Sequence, residues 1–307
     1  MQERELEVAR RTFDERVRLD LKSKRLTAWT QHPVVREIHI LPLMSGRPDQ
    51  NWIGAARERY FQRPVDRGLS IGCGPGDLER YALRFDLVRH MDAYDLSPTS
   101  IETAQRKAAE AGVGDRVDYR VANLNEQTFP AATYDVVFAC QSLHHIAALE
   151  HVYDQVHAAL KPDGLFIINE YVGPNQLQWT DAQLEHARAA FARIPERYRT
   201  NLHSGAIKLG VHRQPIETMN RVDPTEGVRS ADILPLLYER FDVVERHDYG
   251  GTVVNLVLEG IAGNFTDTPE DRAILQELCA LERRLLDSGE LPSDHTWLAA
   301  RRKDAPR

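Results

Sequence analysis

Between residues 68 and 171, short apolar runs alternate with segments in which apolar residues recur every three or four positions. Short apolar runs favour buried β-strands, and the 3.6-residue period favours amphipathic helices. Strands that alternate with helices pair in parallel, so this region predicts a parallel sheet with helices on both faces. The predicted strands cover residues 68–72, 90–94, 116–121, 134–140 and 165–170, and the predicted helices cover residues 77–84, 99–111 and 149–160.

Local signals mark the ends of two of these helices. Ser97 precedes Pro98, and a serine N-cap followed by proline is typical of a helix start. Residues 161–164 read Lys-Pro-Asp-Gly, a turn sequence that ends one helix and leads into the next strand.

The residues before this region predict helices instead of strands. Residues 3–26 predict a highly charged amphipathic helix, and residues 50–61 predict a second helix. Between them, we expect Pro33 and Pro42 to interrupt helical structure. The apolar face of the first helix comprises Leu6, Ala9, Phe13, Val17 and Leu21.

The alternation also stops after residue 174. A helix is predicted over residues 181–193, followed by a polar loop as far as residue 236. Two more strands are predicted over residues 241–246 and 295–300, with helices over residues 253–265 and 269–287 between them. We therefore divide the chain into an N-terminal helical extension or lid (1–67) and a main domain (68–307) with cap-like insertions at about 175–236 and 250–292.

Composition narrows the class of protein. The chain has 307 residues, 42% of them apolar, and a formal charge of −7 without a basic stripe, which disfavours nucleic acid as a partner. No run approaches the roughly 20 apolar residues of a membrane span, and the charged start of the sequence lacks an apolar signal region. The three cysteines are far apart, so neither disulfides nor zinc are expected, and a cytoplasmic location is predicted.

A glycine-rich turn at residues 72–76 is the first candidate for ligand chemistry. Gly72, Gly74 and Gly76 follow the first predicted strand, and glycine lets a backbone adopt positive φ and approach a ligand closely. In a dinucleotide site the third glycine would come one residue later, where this chain has Asp77. A carboxylate facing a pyrophosphate is unfavourable, so the turn predicts a nucleoside ligand without phosphates.

Polar residues at the ends of the next strands fit the same ligand. Asp95 ends the second strand and is placed to accept both hydroxyls of a ribose, or to stabilise the helix that begins at Pro98. Asn123 ends the third strand and is placed to donate to an adenine ring, or to form a turn. Leu96 and Leu124 would lie on the two faces of the base.

Together these features resemble one family. Residues 68–171 are similar to the core of the class I S-adenosylmethionine-dependent methyltransferases in the order and spacing of the G-x-G-x-G turn, Asp95, Asn123, and the segments 134–145 and 160–165. The resemblance implies an α/β fold with a seven-stranded, mostly parallel, doubly wound sheet whose last strand is antiparallel. It also implies strands six and seven at residues 241–246 and 295–301.

The resemblance assigns roles to particular residues. The glycine turn would hold the methionine end of S-adenosylmethionine, the acid would bind ribose and the third-strand residue would meet adenine. Ser70 stands where the family commonly has an acidic residue, and Asn123 replaces a frequent aspartate. The predicted cofactor-binding residues are Gly72, Cys73, Gly74, Gly76, Asp95, Leu96, Ser97, Asn123, Leu124 and Gln141.

Methylation of a hydroxyl requires a base, and histidine is suited to that role. His144 and His145 follow the fourth strand and Glu170 ends the fifth, so these three residues are the candidate bases. Shaping of the loop is the alternative role of the histidines, and binding of the acceptor is the alternative role of Glu170. No metal site is predicted, because the loop lacks clustered Asp and Asn ligands.

The predicted reaction is O-methylation of a small polar acceptor such as a sugar, glycan precursor or natural product, with S-adenosylhomocysteine as product. N- or C-methylation and a catalytically silent cofactor-binding subunit remain alternatives, and the first helix is a possible homodimer contact. Aromatic and histidine residues outside the core region are candidates for the acceptor site, namely Trp29, His32, His39, Trp179, His203, His212 and Tyr249.

Overall fold

The computed structural model describes residues 3–20 and 28–303. The helix predicted over residues 3–26 is described as far as Asp20, and its predicted last part lies outside the described residues. Within the described residues, each helix is too short or too polar to span a membrane.

Seven strands form one sheet in the order β3-β2-β1-β4-β5-β7-β6. Strand β7 runs antiparallel to both β5 and β6, and the pairs among β1 to β5 are parallel. The predicted fold class is therefore confirmed. The strands are β1 Val65–Ile71, β2 Val88–Asp95, β3 Val117–Val121, β4 Tyr134–Cys140, β5 Leu160–Tyr171, β6 Phe241–Gly250 and β7 His295–Arg302.

Helices flank the sheet and carry the predicted start signals. Ser97 caps α6, because its hydroxyl oxygen accepts the N–H of Ser100 at 2.9 Å. The α-helices are α1 Glu3–Asp20, α2 Pro33–Val35, α3 Leu41–Ser45, α4 Trp52–Tyr60, α5 Asp77–Arg84, α6 Pro98–Glu110, α7 Leu149–Ala159, α8 Asp181–Ala192, α9 Ile216–Val222, α10 Ile233–Arg240, α11 Val254–Leu258 and α12 Pro269–Asp287.

The expected interruption is present at Pro33, where the extended His32 separates a 3₁₀ turn, Trp29–Gln31, from α2, but it is wrong at Pro42. Pro33 is the first residue of α2, where the missing N–H has no intrahelical partner to lose. A π-helical turn, Arg36–Ile40, joins α2 to α3, and the N–H of Leu41 donates to the carbonyl of Arg36. The wider turn lets helical backbone continue past Pro42.

Two other expectations about helices are also wrong. The segment expected to form one helix over residues 253–265 is divided into α11 and a 3₁₀ turn, Ala262–Asn264, by Gly260 at φ +73°. The segment up to residue 236, expected to be a polar loop, contains α9 and the start of α10. Helices of seven and eight residues are too short for their apolar period to be conspicuous.

The described residues from 28 to 64 pack against the β6–β7 side of the sheet and against α12. The indole N–H of Trp297 in β7 donates to the carbonyl of Met44 at 2.7 Å, and His39 Nε2 lies 2.7 Å from the buried Glu282 carboxylate of α12. This part of the predicted extension therefore completes the core. The expected acceptor residues Trp29, His32, His39 and Tyr249 are buried there, and their placement at the acceptor site is not supported.

Candidate functional site

A cavity of about 370 Å³ opens at the carboxyl ends of β1, β2 and β4. Its wall is formed by the glycine turn, by the loops that follow β2, β3 and β4, and by one face of α1. Open α/β sheets bind ligands at this edge, and the volume lies within the range of small-molecule sites.

The glycine turn requires its glycines for two different reasons. Gly72 has φ +70°, and a Cβ there would lie 2.2 Å from the Cβ of Ser142. Gly76 has φ +78°, and a Cβ there would lie 2.6 Å from the hydroxyl oxygen of Tyr119. Gly74 has φ +51° and open space where its Cβ would be. Gly72 and Gly74 line the cavity, whereas Gly76 packs behind the turn.

Asp95 is fixed in the cavity wall by two backbone amides. Gly74 N–H donates to one carboxylate oxygen at 2.8 Å, and Ser97 N–H donates to the other at 2.9 Å. Burial raises the pKa of Asp95, and these hydrogen bonds oppose the rise. Because each carboxylate oxygen can accept more than one hydrogen bond, the group still has acceptor capacity for a ligand hydroxyl.

Eight of the ten predicted cofactor-binding residues line the cavity, and Gly76 and Ser97 do not. Ser97 is buried, and besides capping α6 its hydroxyl donates to Asp14 of α1 at 2.5 Å. Asn123 accepts two hydrogen bonds from Asn125, which restrict its side chain. The lining set is Gly72, Cys73, Gly74, Asp95, Leu96, Asn123, Leu124 and Gln141.

Glu170 is a fully buried acceptor that holds the loop after β4. One carboxylate oxygen accepts the N–H groups of Ser142 and Leu143 at 2.6 and 2.8 Å, and the other accepts from Nδ1 of His144 at 2.8 Å. Burial lowers the pKa of His144, but the bond to Glu170 outweighs it and the net shift is upward. Neither Glu170 nor His144 lines the cavity, so both are positioned to orient the loop.

His145 does line the cavity, and its tautomer follows from its neighbours. Its Nδ1 lies 3.0 Å from the Thr225 hydroxyl, which donates its single hydrogen to Asp223 at 2.6 Å. The Thr225 oxygen must therefore accept from Nδ1–H, which leaves Nε2 as the proton-accepting nitrogen. Burial, together with the adjacent His144, lowers the pKa of His145 to about 4, so the ring is neutral at pH 7.

The turn over residues 223–226 is the part of the site that sequence reasoning missed. It brings Asp223, Thr225 and Glu226 against the two histidines, and Val228 N–H donates to the carbonyl of His144 at 3.0 Å. Its Asp-Pro-Thr-Glu-Gly sequence indicates a turn but contains no signal for this long-range contact.

The histidines and Glu226 also form a geometry that a metal ion could use. Ligand atoms of His144, His145 and Glu226 lie within 4.8 Å of one another. However, the Arg16 guanidinium already lies 3.3 Å from Glu226 and 3.4 Å from Asp223, so a positive charge is present without an ion. The expectation of no metal remains a prediction.

Helix α1 covers the cavity with the apolar face predicted from its sequence. Leu6, Phe13 and Val17 line the cavity, and the Phe13 ring meets the His145 ring edge-on at a centroid distance of 4.9 Å. Thr12 donates to the carbonyl of Val222 at 2.7 Å, which joins α1 to the end of α9. The homodimer role of α1 remains a prediction, and its apolar face is used within the chain.

Comparison with known proteins identifies the core. Residues 69–168 match a methyltransferase domain family. The chain is 35% identical over 111 residues to 27-O-demethylrifamycin SV methyltransferase of Amycolatopsis mediterranei, a match that covers 36% of this chain and 40% of the relative. It is 31% identical over 126 residues to sterol 24-C-methyltransferase of Eremothecium gossypii (41% and 33%) and 34% identical over 114 residues to ubiquinone biosynthesis O-methyltransferase of Methylocella silvestris (36% and 43%).

These alignments cover less than half of the length of the relatives. A likeness over nearly the whole chain comes from a solved structure, that of a putative sarcosine dimethylglycine methyltransferase from Galdieria sulphuraria. The two share 12% identity with a TM-score of 0.50, over 94% of this chain and 97% of the other. That likeness concerns the fold. Residues 69–168 of this chain therefore form a methyltransferase domain.

Proposed function

We propose that this chain transfers a methyl group from S-adenosylmethionine to a hydroxyl of a small polar organic acceptor. The observation that carries the proposal is a single cavity containing both the glycine turn with Asp95 and the neutral ring of His145. A nucleoside-binding wall and a proton acceptor therefore meet in one space.

The residues present fit S-adenosylmethionine. Asp95 keeps acceptor capacity for ribose hydroxyls, Asn123 and Leu124 suit a purine, and the open side of Gly74 permits close approach to the backbone. The bound sulfonium would supply a strongly electrophilic methyl group. The protein then needs chiefly to orient the acceptor and to exclude water.

His145 is the residue that we assign as the base. Its free Nε2 accepts a proton from the acceptor hydroxyl, and Nδ1 stays bonded to Thr225. The resulting imidazolium is stabilised by Glu226 and Asp223, whose charges raise the pKa of His145 against its burial. Glu170 and His144, two of the three bases predicted from sequence, act as positioning residues for this loop.

The names of two relatives favour oxygen as the methyl acceptor, and the name of a third favours carbon. Two of the relatives described above are named as O-methyltransferases or for an O-demethyl substrate, whereas the third is named as a C-methyltransferase. A base beside the cavity favours a hydroxyl, because an amine that reacts in its neutral form has less need of one. N- and C-methylation are therefore the second candidates.

The shared premise is tested by isothermal titration with S-adenosylhomocysteine. Binding in the micromolar range is expected, and lack of binding at millimolar concentration would reject the proposal. The base is then tested with His145→Gln in assays with labelled S-adenosylmethionine and a panel of sugar, phenol and amine acceptors. We expect a fall in kcat of about 100-fold or more with S-adenosylhomocysteine affinity retained.

His90→Gln is the matched control, because His90 is an exposed histidine on β2 away from the cavity. This variant should keep full activity. Full activity of His145→Gln would instead remove the base from the mechanism, and activity only on amines would favour the N-methyltransferase alternative.

A further inference from the structure

Glu79 is a buried carboxylate whose position has no structural explanation within the fold. It lies in the first turns of α5 with no exposed surface, and neither of its oxygens has a hydrogen-bond partner among the described residues. A buried carboxylate without partners is costly to a fold, because it loses its hydration and gains nothing in return. Such a group indicates a partner that arrives with a ligand.

The same residue lies on the wall of the ligand cavity. Glu79 and Ser70 both line it, directly behind the glycine turn. Burial raises the pKa of Glu79 to about 7, and the nearby Ser70 hydroxyl and the Arg80 charge oppose the rise, although neither makes a hydrogen bond of normal geometry to the carboxylate. A cation that enters this part of the cavity would restore the ionised form and gain from the low dielectric around it.

We propose that Glu79 supplies the negative charge that recognises the ammonium group at the methionine end of S-adenosylmethionine. The inference rests on the proposed function, because it needs that molecule in the cavity. The ammonium is the cation that we assign to Glu79, because the reacting sulfonium must face the acceptor side of the cavity, where His145 lies.

The surroundings of Glu79 and His145 support this division. The groups that act on Glu79 are Ser70, Arg80 and Asp77, and Glu79 in turn acts on Cys73, Tyr119 and Cys140. The groups that act on His145 are His144, Glu226, Asp223 and Arg16. Glu79 therefore lies near Ser70 behind the glycine turn, whereas His145 lies beside Thr225 in the loop after β4, so the two side chains line different parts of one cavity.

Among the described residues, the other charged groups near Glu79, including the Asp77 carboxylate, already have partners within the protein. Arg80 donates to the carbonyl of Pro75 and pairs with Asp77, and it makes no hydrogen bond to the Glu79 oxygens. Cys73, Tyr119 and Cys140 have pKa values raised by burial and are neutral near pH 7. Asp95, the other carboxylate of the turn, is already bound by two backbone amides.

The test compares two ligands that differ in the amino acid part alone. S-Adenosylhomocysteine carries the ammonium, whereas 5′-methylthioadenosine has the same nucleoside and sulfur without it. Glu79→Gln keeps the shape and removes the charge, so it should weaken S-adenosylhomocysteine binding about 10- to 100-fold and change 5′-methylthioadenosine binding less than about twofold. Adding Ser70→Asp to Glu79→Gln restores a carboxylate on the same wall and should recover much of the lost affinity.

A second measurement uses the unmodified protein and does not depend on a variant that folds. At pH 6 the Glu79 carboxyl is largely protonated, and it must lose that proton when an ammonium binds beside it. Titrations of S-adenosylhomocysteine in buffers of different ionisation enthalpy should therefore show release of up to about one proton, and 5′-methylthioadenosine should release less.

Three results would overturn the inference. Glu79→Gln could bind S-adenosylhomocysteine as tightly as the unmodified protein, or lose affinity for both ligands equally, which would indicate a purely structural role. The two ligands could also release the same number of protons. If the unmodified protein binds 5′-methylthioadenosine but Glu79→Gln shows no selective loss, the proposed function survives and this inference fails. If it binds neither ligand, both fail.

Discussion

One buried residue, Glu170, fixes the conformation of the loop that follows β4 and borders the cavity. Glu170 accepts two backbone N–H groups and one histidine N–H, all without access to water. A carboxylate in that position fixes the backbone of Ser142 and Leu143 and the orientation of His144. The chemistry of His145, the next residue, depends on that geometry.

Glu170→Gln separates a positioning role from a catalytic one. The amide keeps one acceptor oxygen, but its N–H₂ group faces N–H donors that need an acceptor. We therefore expect a loss of about 2 to 3 kcal/mol in the free energy of unfolding. The pKa of His144, which Glu170 raises, should fall. Urea unfolding and a histidine NMR titration measure the two effects.

The control for this substitution is Glu185→Gln on the exposed side of α8, which should leave stability unchanged within about 0.5 kcal/mol. A Glu170→Gln protein with full stability but no activity would instead identify Glu170 as a base.

At this scale, the sequence predicts the residues that are fixed by the local turn and misses those fixed by distant contacts. Gly72 and Asp95 follow from strand ends and glycine spacing, and both line the cavity. Thr225 is 80 residues from His145 along the chain, and Glu226 is 210 residues from Arg16. No local pattern encodes such pairs, so the tautomer of His145 and the partners of Arg16 required the structure.

Helix α1 contributes one wall of the cavity and is held in place by polar contacts. Asp14 accepts from the Ser97 hydroxyl at 2.5 Å and from Thr99 N–H at 3.2 Å, which attaches the middle of α1 to the start of α6. These hydrogen bonds lower the pKa of Asp14 against the effect of burial, so the group is ionised at neutral pH.

Asp14→Ala should loosen α1 and weaken ligand binding. The substitution removes both hydrogen bonds, and we expect faster amide exchange in α1 and about tenfold lower affinity for S-adenosylhomocysteine. Glu15→Ala, at the neighbouring exposed position of the same helix, is the control and should change neither. Loose α1 amides with unchanged affinity would show that α1 does not act as a lid on the cofactor side.

Elements with long periodic patterns were predicted well, and short ones were not. The bounds of α12 agree with the prediction, because 19 residues display their apolar face over five turns. The failures at α10 and around Pro42 have local causes: an eight-residue helix and a π turn that accommodates proline. Propensity rules treat proline as a helix breaker and do not anticipate a wider turn before it.

For the whole molecule, the alternation of strands and helices in the sequence predicts the fold class. The sequence does not predict how stability depends on pH, because it does not show which titratable groups are buried. His295 is 6% exposed, and its ring lies among Trp29, Tyr171 and Tyr249. Burial lowers its pKa to about 4, and the Gly250 carbonyl does not offset this. An exposed histidine with the same sequence neighbours would titrate near 6.5.

The sign of the resulting pH dependence follows from which state binds more protons. Between pH 6.5 and pH 4 the unfolded chain protonates His295 and the folded chain does not, so the stability that this residue contributes is present above pH 6.5 and is lost as the pH falls.

Glu79 contributes a pH dependence of stability with the opposite sign. Its pKa is raised to about 7, so its contribution is present below about pH 4.5 and is lost as the pH rises to 7.

Because these contributions partly cancel in the unmodified protein, His295 is best tested as a difference. His295→Asn keeps a donor for the Gly250 carbonyl and removes the titration. The stability advantage of the unmodified protein over this variant should shrink by about 2 kcal/mol between pH 7.5 and pH 5, because folding lowers the pKa of His295 from its ordinary value near 6.5 to about 4. Urea unfolding of both proteins at five pH values gives this difference directly, and carboxylates common to both cancel. Parallel stability curves would mean that the folded protein opens around His295 and protonates it near its ordinary pKa.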